Sequence, residues 1–120
     1  MELHESQEMY LETILRLSEK KEHVHAIDVA NELGFSRPSV SIAIKQLKEN
    51  GYIEVLPDQS LILTSKGKSV ADSVFEKHKV LTTLLENFGI SHLTAEEDAC
   101  KIEHIISEET FLKIKEYLKK

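Results

Sequence analysis

Between Ile27 and Leu85 the hydrophobic period switches from 3.6 to 2 and back again, and this switch restricts the fold more than any other feature of the chain. Ile27, Val29, Ala30 and Leu33 are spaced for a short helix that stops at Gly34, because glycine just past a helix end takes positive φ without penalty. A second helix follows at once. Ser36 suits the N-cap, Pro38 the first turn, and Val40, Ala43, Ile44 and Leu47 recur at i, i+3, i+4 and i+7. After Asn50-Gly51 the period falls to two. Tyr52-Ile53-Glu54-Val55-Leu56 and Leu61-Ile62-Leu63-Thr64 read as strands around Pro57-Asp58-Gln59-Ser60, whose residues favour a turn. Two short helices joined by a tight Gly-containing turn and followed by a hairpin describe a winged helix-turn-helix.

The rest of the pattern is helical. Ser6 is placed to cap a first helix whose stripe is Met9, Tyr10, Ile14, Leu15 and Leu17, after which SEKKEHVH is polar. Thr64 or Ser65 opens a long helix carrying Val70, Val74, His78, Leu81 and Leu85, which ends near Gly89. A further helix is expected from about Thr94 to Ser107, with Glu96 and Glu97 in its first turn, and a last one from about Glu108 to Leu118. The expected fold is mostly α: a winged helix-turn-helix over residues 1–68, followed by a helical dimerisation and metal-binding domain over residues 69–120. The apolar stretches of residues 69–118 exceed what one small helical domain buries alone, so a C2 homodimer interface is expected there.

Charge adds a second constraint. The 120 residues carry a net charge of −6, which taken as one figure argues against nucleic acid. The distribution does not. Residues 36–68 hold five basic and three acidic residues (+2), while residues 1–35 carry −5 and residues 69–120 carry −3. The net-positive stretch is the second helix of the pair and the wing. With Val40, Ala43, Ile44 and Leu47 turned inward, the second helix presents Ser36, Arg37, Pro38, Ser39, Ser41, Ile42, Lys45 and Gln46. Small hydroxyls, an early Arg and an exposed apolar residue suit phosphate, base edges and the thymine methyl of double-stranded DNA. Gln59 and Ser60 are expected at the wing tip, with Lys66 and Lys68 flanking the next helix.

Other classes are set aside by the same reading. No apolar run approaches the roughly 20 residues of a membrane span. The opening MELHESQEMY is acidic and polar where a secretory signal is basic and then apolar, and the single Cys100 fits a reducing compartment, so a cytoplasmic location is expected. No H-E-x-x-H, Gly-rich phosphate loop or Ser/His/Asp pattern is present, so no enzyme is expected, and no small-molecule substrate beyond a metal ion.

The metal signal lies in EEDACKIEH. On a helix Cys100, Glu103 and His104 stand at i, i+3 and i+4, so thiolate, carboxylate and imidazole emerge on one face. His78 is an odd imidazole among Val74, Leu81 and Leu85. On the first helix Met9 and Glu12 are i, i+3; taken singly, Met9 reads as core and Glu12 as solvated.

Together EMYLETIL, FSRPSVSIAIKQLKENGYIEV, LILTSKGKSVA and the run from EKHKVLTTLLENFGI to EEDACKIEHIISEET resemble the diphtheria-toxin-repressor and manganese-transport-regulator family of metal-dependent repressors. The resemblance implies dimeric binding to a palindromic operator when metal is loaded. It implies an iron-type ligand set at Met9, Cys100, Glu103 and His104, and retains Glu12, His78, Glu103 and His104 from the manganese-type set. Thr82 stands where the iron branch carries a carboxylate and Glu96 where it carries a His, so Glu96 is a further candidate ligand. Ile42 occupies a position where that branch often has Gln. Met and Cys favour Fe(II), the carboxylates and imidazoles suit Mn(II) as the second choice, and Zn(II) or other divalent metals bind such sets in vitro. The alternative is a metal-independent winged-helix regulator, which keeps the DNA face and leaves Cys100, Glu103 and His104 without a ligand role.

Overall fold

The computed structural model describes residues 5–119. Its elements run α1 (Glu5–Ser18), α2 (Ala26–Leu33), α3 (Arg37–Glu49), β1 (Ile53–Val55), β2 (Leu61–Leu63), α4 (Ser65–Asn87), α5 (His92–Ile102) and α6 (Glu108–Leu118). The chain divides into two compact units, Met1–Asp72 and Ser73–Lys120, with the division inside α4. The boundary expected from the sequence, after Lys68, falls in the same helix. The outermost residues of those expected domains, 1–4 and 120, lie outside the described residues.

In the first unit α1 packs on α2, α3 and β2, α2 packs on α3, and α3 packs on β1. Leu11, Ile14, Val29, Val40, Leu47 and Ile53 fill the core. The α2–α3 turn forms as its residues dictate: Gly34 has φ 70° and its N–H reaches the Ala30 carbonyl, while the Ser36 hydroxyl accepts from the Ser39 N–H at the start of α3. Val40, Ala43, Ile44 and Leu47 are the buried residues of α3. β1 and β2 pair antiparallel with Ile53 opposite Leu63 and Val55 opposite Leu61. The strands are shorter than their apolar runs, and at the root of the hairpin Tyr52 and Thr64 keep one cross-strand bond, Thr64 N–H to the Tyr52 carbonyl, while the Tyr52 N–H goes to the Leu47 carbonyl and the Thr64 hydroxyl to the Gly51 carbonyl.

Two boundaries differ from the sequence reading. Ser6 lies inside α1 rather than ahead of it. α5 starts at His92 behind Ser91, two residues before Thr94, and ends at Ile102. Glu103 and His104 therefore lie in a turn past the helix, where the Ile105 and Ile106 N–H groups both return to the Ile102 carbonyl. Of the expected i, i+3, i+4 set only Cys100 lies within α5; Glu103 is its C-cap, with its N–H still on the Ala99 carbonyl, and His104 follows in the turn. The stop has a local cause: Ser107 caps α6, its hydroxyl accepting from the Thr110 N–H, with Glu108 and Glu109 at the positive end of the helix dipole.

In the second unit α4 is tied to α6 by Lys115–Glu76 at 3.2 Å and Lys77–Glu108 at 3.8 Å, with the Lys77 ammonium 5.9 Å from the Phe111 ring centroid. Among the described residues no helix is long and apolar enough to cross a membrane.

Candidate metal centre and nucleic-acid interface

In the second unit the interior holds a carboxylate. Glu103 is 1% exposed, a placement that carboxylates rarely take without partners. One of its oxygens lies 2.9 Å from His78 Nδ1, and the other 3.3 Å from His104 Nε2. The second nitrogen of His78, Nε2, lies 3.5 Å from Glu96 Oε2. Glu96 Oε1 is 2.9 Å from His92 Nε2, and His92 Nδ1 is 3.2 Å from Glu86 Oε2. The three imidazoles thus alternate with three carboxylates, from exposed His92 inward to Glu103.

Local structure explains this convergence. His78 is buried on α4, and its backbone carbonyl accepts from the Thr82 hydroxyl at 2.7 Å. Thr82 is therefore turned onto its own helix and takes no part in the donor cluster. Starting α5 at His92 puts His92 and Glu96 one turn apart on a single face. The turn after Ile102 carries Glu103 to His78 and sets His104 against the other oxygen of Glu103. Two imidazoles and two carboxylates are borderline and hard donors, and this set fits a divalent transition ion such as Mn(II), Fe(II) or Zn(II).

Of the residues expected to ligate metal, the structure groups His78, Glu96, Glu103 and His104. Cys100 is a half-buried free thiol on α5. Met9 and Glu12 belong to α1 of the first unit, Met9 half-buried and Glu12 only 3% exposed. Burial of Glu12 reverses its expected solvated placement. The sequence reading missed Glu86 and His92; the i, i+4 spacing of His92 and Glu96 was their signal, hidden by starting the helix at Thr94.

On the first unit the residues expected to face DNA, from the N-cap Ser36 along α3, are all exposed: Ser36, Arg37, Pro38, Ser39, Ser41, Ile42, Lys45 and Gln46. Ile42 is 61% exposed, without apolar cover. Arg37, Ser41, Lys45 and Lys48 line a groove of about 650 Å³ whose other wall includes Gln59 of the wing. Gln59 has φ 69°, a conformation that costs a side-chain-bearing residue about 1–2 kcal/mol and concentrates at functional positions. Ser60 departs from expectation. It is 2% exposed, and its hydroxyl donates to Asp58 Oδ1 at 2.5 Å, so it shapes the turn and is not an exposed tip residue. Lys66 is likewise engaged, donating to the Asn50 carbonyl with its ammonium over the Tyr52 ring.

Comparison with known proteins assigns both halves. Residues 2–61 match the iron dependent repressor N-terminal DNA binding domain, and residues 64–120 match the iron dependent repressor metal binding and dimerisation domain. The chain is 33% identical over 118 residues to the diphtheria toxin repressor of Corynebacterium glutamicum, covering 98% of this chain and 52% of that protein. It is 35% identical over 101 residues to the transcriptional regulator MntR of Escherichia coli O6:H1, covering 84% of this chain and 65% of that one. The solved structure of the manganese regulator SloR superposes with a TM-score of 0.84 at 27% identity, over 99% of this chain and 55% of that one. The chain thus spans about half the length of the corynebacterial relative. With the winged helix and the helical unit each matched in order along the chain, the protein belongs to the iron dependent repressor family.

Proposed function

We propose that the protein is a metal-responsive transcriptional regulator, a homodimer that binds palindromic operator DNA when its metal site is loaded. The observation that carries the metal part is Glu103, an interior carboxylate between His78 and His104. These three residues form the centre of the proposed ligand set, with Glu96 and Cys100 beside them in the chain of the second unit and Met9 and Glu12 supplied by α1. A bound divalent ion supplies two positive charges to this acidic set. The protein's residues do the rest: Glu103 accepts from His78 and stands 3.3 Å from His104, and His92 orients Glu96. A metal that binds one conformation of the protein better than another shifts the population towards it, and that differential affinity emerges as tighter DNA binding.

Relatives support both ions: the family name speaks of iron, and SloR is a manganese regulator. We place Fe(II) first because Met9 and Cys100 are soft donors, and Mn(II) second. Exposed Phe88, Leu93, Ile105 and Tyr117 in the second unit support a second copy as partner. On α3, Ser36, Arg37, Pro38, Ser39, Ser41, Ile42 and Lys45, with Gln59 of the wing, are the proposed DNA contacts.

The test is a titration of palindromic AT-rich duplexes with chelator present, then with Fe(II), Mn(II) or Zn(II) under anaerobic conditions, with sedimentation to read the dimer. Loading is expected to tighten binding about tenfold to a hundredfold. Equal affinity with and without metal supports a metal-independent winged-helix regulator instead. On the DNA side, Ile42→Gln exchanges an apolar contact with a thymine methyl for an amide that pairs with adenine. Duplex selection before and after the substitution should show a changed base preference at one position per half-site, worth about 1–3 kcal/mol. An unchanged preference would remove Ile42 from the base-reading set.

A further inference from the structure

We propose that the groove between α3 and the wing binds a small amphipathic anion, an aliphatic body with a carboxylate head, and that this ligand and a DNA duplex exclude one another. The ligand half stands on the groove alone, and the exclusion rests on the DNA-binding reading above. The cavity of about 650 Å³ has the size of a small-molecule site, and such sites are largely preformed, mostly apolar and equipped with a few converging polar groups. This groove has each of those properties.

The floor is aliphatic. Val40 and Ile44 of α3 line it, with Val55 and Leu61 of the strands and Ile27 at the start of α2. Ile27 is 38% exposed and Val55 half-buried, so part of this aliphatic lining stands open to water. The walls are held together without a ligand. The Leu61 N–H donates to the Val24 carbonyl at 2.7 Å, and His25 Nε2 lies 3.3 Å from the Asp58 carbonyl oxygen, which ties the wing to the segment ahead of α2. From the same segment His23 Nδ1 lies 3.6 Å from Asp58 Oδ2.

The rim supplies the charge. Arg37, Lys45 and Lys48 line the groove and no Asp or Glu does, in a chain whose net charge is −6. Lys21, Lys77, Lys113 and Lys115 each pair with a carboxylate, whereas these three cations make no ion pair among the described residues. Lys45 and Lys48 stand at i, i+3 on α3, so one head group can meet both ammoniums. The Ser41 hydroxyl lies one turn before Lys45, and the Gln59 amide is on the opposite wall. A duplex uses only half of this chemistry, because its phosphates satisfy the cations but gain nothing from aliphatic walls. An alkyl carboxylate uses both halves: its chain covers Ile27, Ile44 and Val55 while its head takes up the lysines. Arg37, Ser41, Lys45 and Gln59 are also proposed DNA contacts, so either ligand weakens the binding of the other.

The test uses the whole Mn(II)-loaded protein and the straight-chain acids hexanoate, octanoate and decanoate, read by isothermal titration calorimetry. One ligand per subunit is expected, with affinity rising about twofold to fourfold for each added CH₂. Acetate supplies the head without the body, decanol the body without the head, and decylamine the body with the opposite charge. Each is expected to bind at least about tenfold more weakly than decanoate. Lys45→Gln/Lys48→Gln should weaken decanoate about tenfold and close its gap to decanol, whereas Ile27→Ser should weaken both. All three positions are exposed, and circular dichroism checks the fold. In fluorescence anisotropy, decanoate at a concentration equal to its own Kd should about double the apparent Kd for a duplex selected by the protein. Acetate at the same ionic strength should leave that Kd unchanged, which separates occupancy from screening. Equal binding of decanoate and decylamine, no dependence on chain length, or no binding at all overturns the ligand site. Decanoate that binds without weakening DNA overturns the exclusion. If the protein binds decanoate but no duplex under any condition, the DNA-binding reading fails and the exclusion with it, while the calorimetry upholds the ligand site.

Discussion

Glu103→Gln is expected to lower metal affinity at least about 100-fold while leaving the metal-free protein as stable as before or slightly more so. The two effects separate because they draw on different properties of one buried group. Glutamine has the shape of glutamate and can still meet His78 and His104, but it lacks the negative charge that a divalent ion requires of its ligand. In the metal-free protein that same charge sits at 1% exposure, where taking an ion out of water costs several kcal/mol, and the isosteric amide spares that cost while keeping an oxygen that accepts from His78. His78→Ala differs: it empties buried volume and leaves Glu103 with one imidazole fewer, so both affinity and stability fall, the latter by about 3 kcal/mol. His92→Ala touches only the orientation of Glu96, and about a tenfold loss of affinity fits a partner of that kind. Competition against a metallochromic chelator reads the affinities and urea unfolding reads the stabilities. Wild-type affinity in Glu103→Gln would remove the carboxylate from the ligand set and the proposed site with it.

What was legible in the sequence is what depends on near neighbours. Ser36, Pro38 and the 40-43-44-47 spacing announce α3 because cap, first turn and buried face are all local. Gly34 announces the turn before α3 for the same reason. α5 was misjudged at both ends. Thr94 looks like a cap no less than Ser91 does, and Ile102, Ile105 and Ile106 prolong an apolar pattern with no glycine or proline to break it; the stop comes from Ser107 opening the next helix. That local error had a functional cost, since it hid His92 and placed Glu103 and His104 on a helix they do not share. Burial of Glu12 was illegible for another reason: periodicity predicts which side of a helix faces inward, but a single acid beside that stripe reads as solvated until the packing is known. The pair His23 and His25 reads as part of a polar stretch because Asp58, their common partner, lies more than thirty residues further on.

Gly67→Ala is expected to destabilise the first unit by about 3 kcal/mol, although helix propensity alone predicts the opposite sign. Gly67 lies in the first turn of α4 with no positive φ to excuse it, and in an exposed helix the change to alanine stabilises by roughly 1 kcal/mol. Here a Cβ at Gly67 would stand 1.9 Å from the Tyr52 carbonyl oxygen and 2.9 Å from its carbon. Both are backbone atoms, so no side chain can swing aside. Tyr52 cannot retreat easily either: its N–H is held by the Leu47 carbonyl at the end of α3, its carbonyl accepts from the Thr64 N–H, and its side chain is buried. Thr64 closes the arrangement by donating its hydroxyl hydrogen to the Gly51 carbonyl and accepting from the Gly67 N–H. Relief therefore requires moving the start of α4 away from the root of the wing, which breaks several of these bonds at once. Thermal unfolding should show a midpoint lowered by about 10–20 °C, against Ser69→Ala in the same helix as a control near zero or slightly positive. A stabilised Gly67→Ala would mean that α4 does not approach Tyr52 this closely, and the seat of the wing on α3 and α4 would have to be redrawn.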